Sequence, residues 1–152
     1  MTNDLPDPQT LATLVSNVTE TMCGISFAAH GKVASEPTPE AWRVAALPIP
    51  GARPLRVILS SDQQSSKGLG SALLQFPADQ LDASMIDDSL CELLNMAAGQ
   101  IKRALQIDQA LGLPKIIEGD QAQELFRQAQ KSGILLRSRG PLDLLIWVTD
   151  EN

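Results

Sequence analysis

The sequence predicts an α+β domain: a largely antiparallel β-sheet packed by two long helices. Three observations predict it. Apolar residues recur at helical spacing near the start and again over residues 90–105. Between and after these stretches lie short β-like runs that come in neighbouring pairs. The strands therefore cluster and do not alternate one for one with helices, which is the pattern of an α+β arrangement. The chain has 152 residues, of which 43% are hydrophobic. That suits a single domain spanning 1–152 with a proper core.

The elements follow in order. Residues 8–23, "PQTLATLVSNVTETMC", carry Leu11, Leu14, Val15, Val18 and Met22 at helical spacing. Asp7 is the expected N-cap, Pro8 suits the first turn and Gly24 can close the helix. "ISFAAHGKV" is ambiguous in period, and the prolines of "ASEPTPE" mark a loop. "AWRVAALPIP" and "PLRVILSS" are β-like runs split by "IPGARP". "DQQSSKG" then reads as the connection of an antiparallel hairpin whose next strand is "LGSALLQF", ended by Pro77. "ADQLDASM" is either a short helix or a connection. Asp87 or Asp88 is the expected N-cap of a long helix running to about Gln106. Pro114 breaks the pattern, and "KII" suits a short strand. "DQAQELFRQAQKSG" is an amphipathic helix anchored by Leu125 and Phe126, with Gly133 as its C-cap. "ILLRSR" and "LDLLIWVT", joined at Gly140-Pro141, read as a closing hairpin.

Composition excludes several function classes. Net charge is −6, from 12 basic and 18 acidic residues, with no basic run or basic-aromatic stripe, so nucleic acid is not an expected partner. The single histidine, His30, leaves no histidine-based metal site, and the sequence shows no convincing histidine-dependent triad. "GLGSAL" lacks the third glycine of a dinucleotide fingerprint, and no GxxxxGK[ST] loop occurs. Asp82, Asp87 and Asp88 lack a calcium-loop pattern and suit helix capping. Cys23 and Cys91 form no CxxC and read as two buried thiols of a reducing compartment. "MTNDLPDPQT" has no signal-peptide character, and no apolar run reaches a membrane span. Without a secretory signal the Asn17-Val18-Thr19 sequon has no glycosylation context. A cytoplasmic location is expected, with no membrane contact.

The long helix carries the functional signal. On a wheel of about 100° per residue, Leu90, Leu93, Leu94, Ala97, Ile101, Ala104 and Leu105 form one stripe that must face the core. Opposite lie Glu92, Asn95 and Gly99, flanked by Ala98 on one side and Met96 on the other. Asn and Gly are both poor helix formers. Two of them on one face mean either a solvated surface or a patch kept clear for another macromolecule.

The segment Glu92-Leu93-Leu94-Asn95-Met96-Ala97-Ala98-Gly99 resembles the ExxNMxxG signature of the CheC/CheX/FliY chemotaxis phosphatases, CheX most of all. Leu113-Pro114-Lys115-Ile116-Ile117-Glu118-Gly119 resembles the family's proline-led downstream strand. Gly70-Ser71-Ala72-Leu73-Leu74-Gln75-Phe76 resembles its upstream Gly-Ser strand. The opening helix and closing strand pair fall in matching order, so the resemblance spreads over most of the chain. Family chains carry a fuller helix between the Gly-Ser strand and the signature helix, where only "PADQLDASMIDDS" stands here. That difference bears on the partner-facing surface and the dimer geometry that the resemblance implies.

The resemblance implies a CheX-like fold and hydrolysis of the aspartyl-phosphate of a response-regulator receiver domain of the CheY type. It assigns catalysis to Glu92 and Asn95, and contact with the partner to Met96 and Gly99. The amide of Asn95 would orient the attacking water, and Glu92 would pair with a lysine of the receiver. No cofactor or metal is expected on this chain; Mg²⁺ would come with the phosphorylated partner. A homodimer through sheet edges is a further implication. Two readings compete: a non-catalytic receiver-binding adaptor or flagellar/chemotaxis interaction module of the same fold, and a protein whose Glu92 and Asn95 are merely solvated.

Overall fold

The structure is a computed structural model that describes residues 5–31, 42–132, 134–138 and 142–150. The expected loop over "ASEPTPE", the Gly133 cap, the Gly140-Pro141 junction and the side chain of Phe126 lie outside the described residues.

Helix α1 spans Pro8–Cys23. Asp7 caps it as expected, its carboxylate accepting from the Thr10 N–H at 2.7 Å, and Gly24 closes it in the left-handed region at φ 71°. Strand β1 covers Phe27–Gly31, β2 Trp42–Ile49 and β3 Leu55–Asp62. Helix α2 follows directly over Gln63–Leu74, then a short 3₁₀ turn at Ala78–Gln80. The long helix α3 spans Ala83–Ala104. Strand β4 (Lys115–Ile117), helix α4 (Gly119–Ser132) and the strands β5 (Ile134–Ser138) and β6 (Asp143–Asp150) complete the described chain.

The strands form one sheet in the order β1-β5-β6-β3-β2-β4, and every pairing is antiparallel. Strand residues alternate between its two faces. Ala45, Leu47, Leu55, Val57, Leu59, Leu144 and Ile146 join the buried sides of α1, α2 and α3 in the main core. The intervening Val44, Ala46, Ile58, Leu145 and Trp147 pack with Ala122 and Leu125 of α4 in a smaller second core. The α+β class with an antiparallel sheet packed by long helices is therefore what the chain adopts. Leu125 is an anchor of α4, as its spacing predicts.

The hairpin expected across "DQQSSKG" does not form: residues 63–74 are α2. Its buried side consists of Ser65, Ser66, Leu69 and Gly70. Those positions have helical spacing, but three of the four are small, so the apolar periodicity is faint. The small residues are required by close packing. A Cβ on Gly68 would stand 2.8 Å from Leu142, and one on Gly70 3.2 Å from Leu81 and 3.4 Å from the Ser89 hydroxyl of α3. Buried serines find polar partners: the Ser65 hydroxyl accepts from the Asp143 N–H at 2.8 Å and donates to the Asp62 carboxylate. Asp62 in turn caps α2 through the Ser65 N–H at 2.7 Å. Pro77 thus follows a helix and ends no strand.

The start of α3 also differs from expectation. Asp82 is its N-cap, accepting from the Met85 N–H at 2.8 Å, while Asp87 and Asp88 lie within the helix. "DASMI" supplies a cap and a first turn that apolar spacing alone did not mark.

Candidate functional site

Helix α3 presents its polar stripe from a rigid mount. Ile86, Ser89, Leu90, Leu93, Leu94, Ala97, Ala98 and Ile101 are buried. Because α1 and α2 both pack against it, the buried arc is wider than one facing a sheet alone. Ala98, expected beside the open face, is 0% exposed for that reason. Ala104, expected in the core, is exposed, because it lies in the last turn beyond Ile101, where the core beneath the helix ends.

Glu92 and Asn95 are both exposed, as expected from the wheel. They are neighbours three residues apart, about 4.5 Å along the helix axis. Among the described residues neither side chain takes part in a hydrogen bond or ion pair within the chain. Gly99 follows one turn beyond Asn95, and a Cβ built on it meets nothing within 4 Å. No packing contact inside the protein therefore accounts for glycine at that position. Met96 is half-buried and packs on the edge of the main core, so only part of its side chain is open to a partner. The structure thus brings Glu92, Asn95 and Gly99 together on one open stripe, with Met96 at its margin.

Two features beside this stripe were not marked by the sequence. On one flank Arg43 of β2 pairs with Asp87 at 3.0 Å. Burial pushes the Asp87 carboxyl up, against the pull of Arg43, and Glu118 and Asp88 add to the rise. Burial, then Asp87 and Asp88, likewise push the Cys91 thiol up, so it stands beside the stripe as a protonated thiol. Cys23 and Cys91 are free and half-buried. Beyond the end of α3 lies an open depression of about 450 Å³ that reaches Gly99 at one side. Its wall depends on Gln106 in the left-handed region at φ 57°, a turn that no glycine announces.

Among the described residues no group of three or more His, Cys, Asp or Glu side chains could hold a metal ion. His30 lies on the exposed surface, its Nε2 3.1 Å from Arg137 Nη1. No helix of the described residues is long and apolar enough to cross a membrane.

The family model for the chemotaxis phosphatase CheX matches residues 44–135, from β2 into β5 and including all of α3. The chain belongs to the CheX family. Solved CheX structures share its fold. The protein from Desulfovibrio desulfuricans is 19% identical and superposes with a TM-score of 0.65, over 93% of this chain and 96% of that one. CheX from Vibrio vulnificus is 15% identical, with a TM-score of 0.66 and the same coverage. A CheX–CheY complex of Borrelia burgdorferi, holding beryllium fluoride and Mg²⁺, gives 15% identity and a TM-score of 0.67, again over 93% and 96%. No curated protein matches the chain by sequence.

The fold corrects one expectation. The Gly-Ser segment, expected as a strand, lies in the helix α2 up to Leu74.

Proposed function

We propose that this chain hydrolyses the aspartyl-phosphate of a CheY-like receiver domain, with Asn95 as the catalytic group and Glu92 as the docking acid. The observation that carries the reading is the open stripe of α3. A carboxylate and an amide, neither with a partner among the described residues, sit one turn apart beside a clear glycine, on a helix fixed by its buried side, in a chain of the CheX family.

The chemistry needs little from the enzyme beyond position. An acyl phosphate is already labile, and phosphoryl transfer is catalysed mainly by placement and electrostatics. The Asn95 amide accepts a hydrogen bond from water and holds it in line with the phosphorus. The water oxygen bonds to phosphorus and the P–O bond to the aspartate breaks. The electron pair of that bond returns to the carboxylate, and the water proton leaves with phosphate or solvent. A neutral amide does this without repelling the phosphoryl oxygens, as a carboxylate would. Glu92 pairs with a receiver lysine and sets the register, and Gly99 lets the receiver approach the helix. In this reading Mg²⁺ comes with the receiver's phosphorylation site.

The test is phosphate release from a panel of receiver domains of the chain's own genome, phosphorylated with acetyl phosphate, with and without this protein. Faster release from at least one receiver is expected, and Glu92→Ala should both weaken receiver binding and slow release. Receiver binding without any faster release would support the adaptor reading instead.

A further inference from the structure

The polar stripe does not end at Gly99. Along α3 it runs from Asp88 and Glu92, through neutral Asn95 and Gly99, to Lys102 and Arg103 in the last turn. Arg103 lies about 12 Å along the axis from Asn95. The face is therefore acidic on one side of the candidate site and basic on the other.

The basic end is shaped as well as charged. The Gln106 N–H donates to the Arg103 carbonyl at 3.1 Å, and the Ile107 N–H to the Lys102 carbonyl at 3.0 Å. This is a Schellman closure, with Gln106 in the left-handed position. It turns the chain back so that Ile107 and Leu111, both packed on the main core, floor the depression beside Gly99. The Gly112 N–H holds the returning segment to the Pro48 carbonyl of β2 at 2.7 Å. The rim carries Lys102, Arg103 and, opposing them, Asp108.

Basic residues in a last helical turn often need no other reason than the helix dipole. Here the closure already satisfies the Lys102 and Arg103 carbonyls with backbone donors, so the two side chains are not required as caps. Among the described residues neither forms an ion pair, in a chain of net charge −6. The half-buried Lys102 and the exposed Arg103 both border the apolar floor.

We infer that this depression is a second contact point for the docked receiver domain and takes an apolar side chain flanked by a carboxylate. The inference rests on the proposed function and extends its interface by one helical turn. Glu92 seeks a cation at one end of the site, while Lys102 and Arg103 seek an anion at the other. A partner is thereby held in one orientation along α3, with its phosphorylated residue over Asn95. Lys102 and Arg103 are positioning residues: they set which receiver binds and how, and do not touch the reacting atoms.

The experiment compares wild type, Lys102→Glu/Arg103→Glu and the conservative Lys102→Arg/Arg103→Lys on one phosphorylated receiver domain that the wild type dephosphorylates. The charge reversal should raise KM about tenfold or more, leave kcat within about twofold and flatten the salt dependence of KM, as expected for lost steering and docking charge. The conservative pair should keep the wild-type KM. An unchanged KM and salt dependence in the charge-reversed protein, with only a lower melting temperature, would overturn the inference and leave the two residues as helix-dipole partners. Failure of the wild type to act on or bind any receiver would overturn the proposed function itself, a separate result.

Discussion

Substitutions at Gly99 test stability and the proposed docking role separately at a single residue. Its Cβ position is empty, and it occupies a helical conformation that alanine prefers. Gly99→Ala should stabilise the free protein by about 0.5–1 kcal/mol. Gly99→Gln also improves helix propensity and should likewise raise the melting temperature. Its long side chain would stand between Asn95 and a receiver pressing on the helix, so receiver dephosphorylation should fall strongly. Melting and activity measured on one sample of each variant check this. Unchanged activity in Gly99→Gln would remove the α3 stripe as the docking face. Glu92, Asn95 and Gly99 were legible in the sequence because a polar residue opposite an apolar stripe has only solvent or a partner to face. Ala98 and Ala104 were not. Alanine fits either environment, and only the packing of α1 and α2, or the end of the core, decides which one it meets.

Among the elements, α3 is tied to the sheet by an ion pair whose contribution depends on pH. Asp87 and Arg43 approach to 3.0 Å, but the buried Asp87 oxygen takes no well-directed hydrogen bond. Burial is the largest influence on Asp87 and raises its folded-state pKa above the usual carboxylate value. A raised acid binds its proton more tightly when folded. Its ionisation therefore lowers stability as pH rises from the ordinary aspartate range through the raised value, and the loss is complete above it. Asp87→Asn should be neutral or stabilising at pH 7, by no more than about 1 kcal/mol for a pair still partly open to solvent. Arg43→Ala should destabilise, and more at pH 7 than at pH 4, because it leaves the carboxylate without its cation. Urea midpoints of the three proteins at both pH values test this. A loss of stability in Asp87→Asn at pH 7 would show that attraction outweighs burial. Helix α1 was legible because Asp7, Pro8 and Gly24 punctuate it. Helix α2 was hidden because three of the four residues on its buried side, Ser65, Ser66 and Gly70, are small and carry little apolar signal, Gly70 lying close to Leu81 and to Ser89 of α3.

At the scale of the molecule, helices α1, α2 and α3 pack on one face of the sheet, and α4 packs on the other over β2, β3 and β6. The pairing of β5 with β6 could be read from neighbouring runs. The order β1-β5-β6-β3-β2-β4 could not, because β3 meets β6 and β1 meets β5 across most of the chain, and single-sequence periodicity carries no information on such distant contacts. The architecture fixes α3 along its buried side and leaves the polar stripe of the proposed site open. The most direct measurement is therefore made with Asn95→Ala, which alters that stripe and nothing beneath it. Dephosphorylation of a receiver domain and binding of the same receiver, activated with beryllium fluoride, should be followed side by side. Rate acceleration should fall about 100-fold, as expected for loss of the group that positions water, with binding within about threefold of wild type and a melting temperature equal to or slightly above wild type, since alanine is the better helix former. Full hydrolytic activity in Asn95→Ala would contradict the catalytic role of the α3 amide.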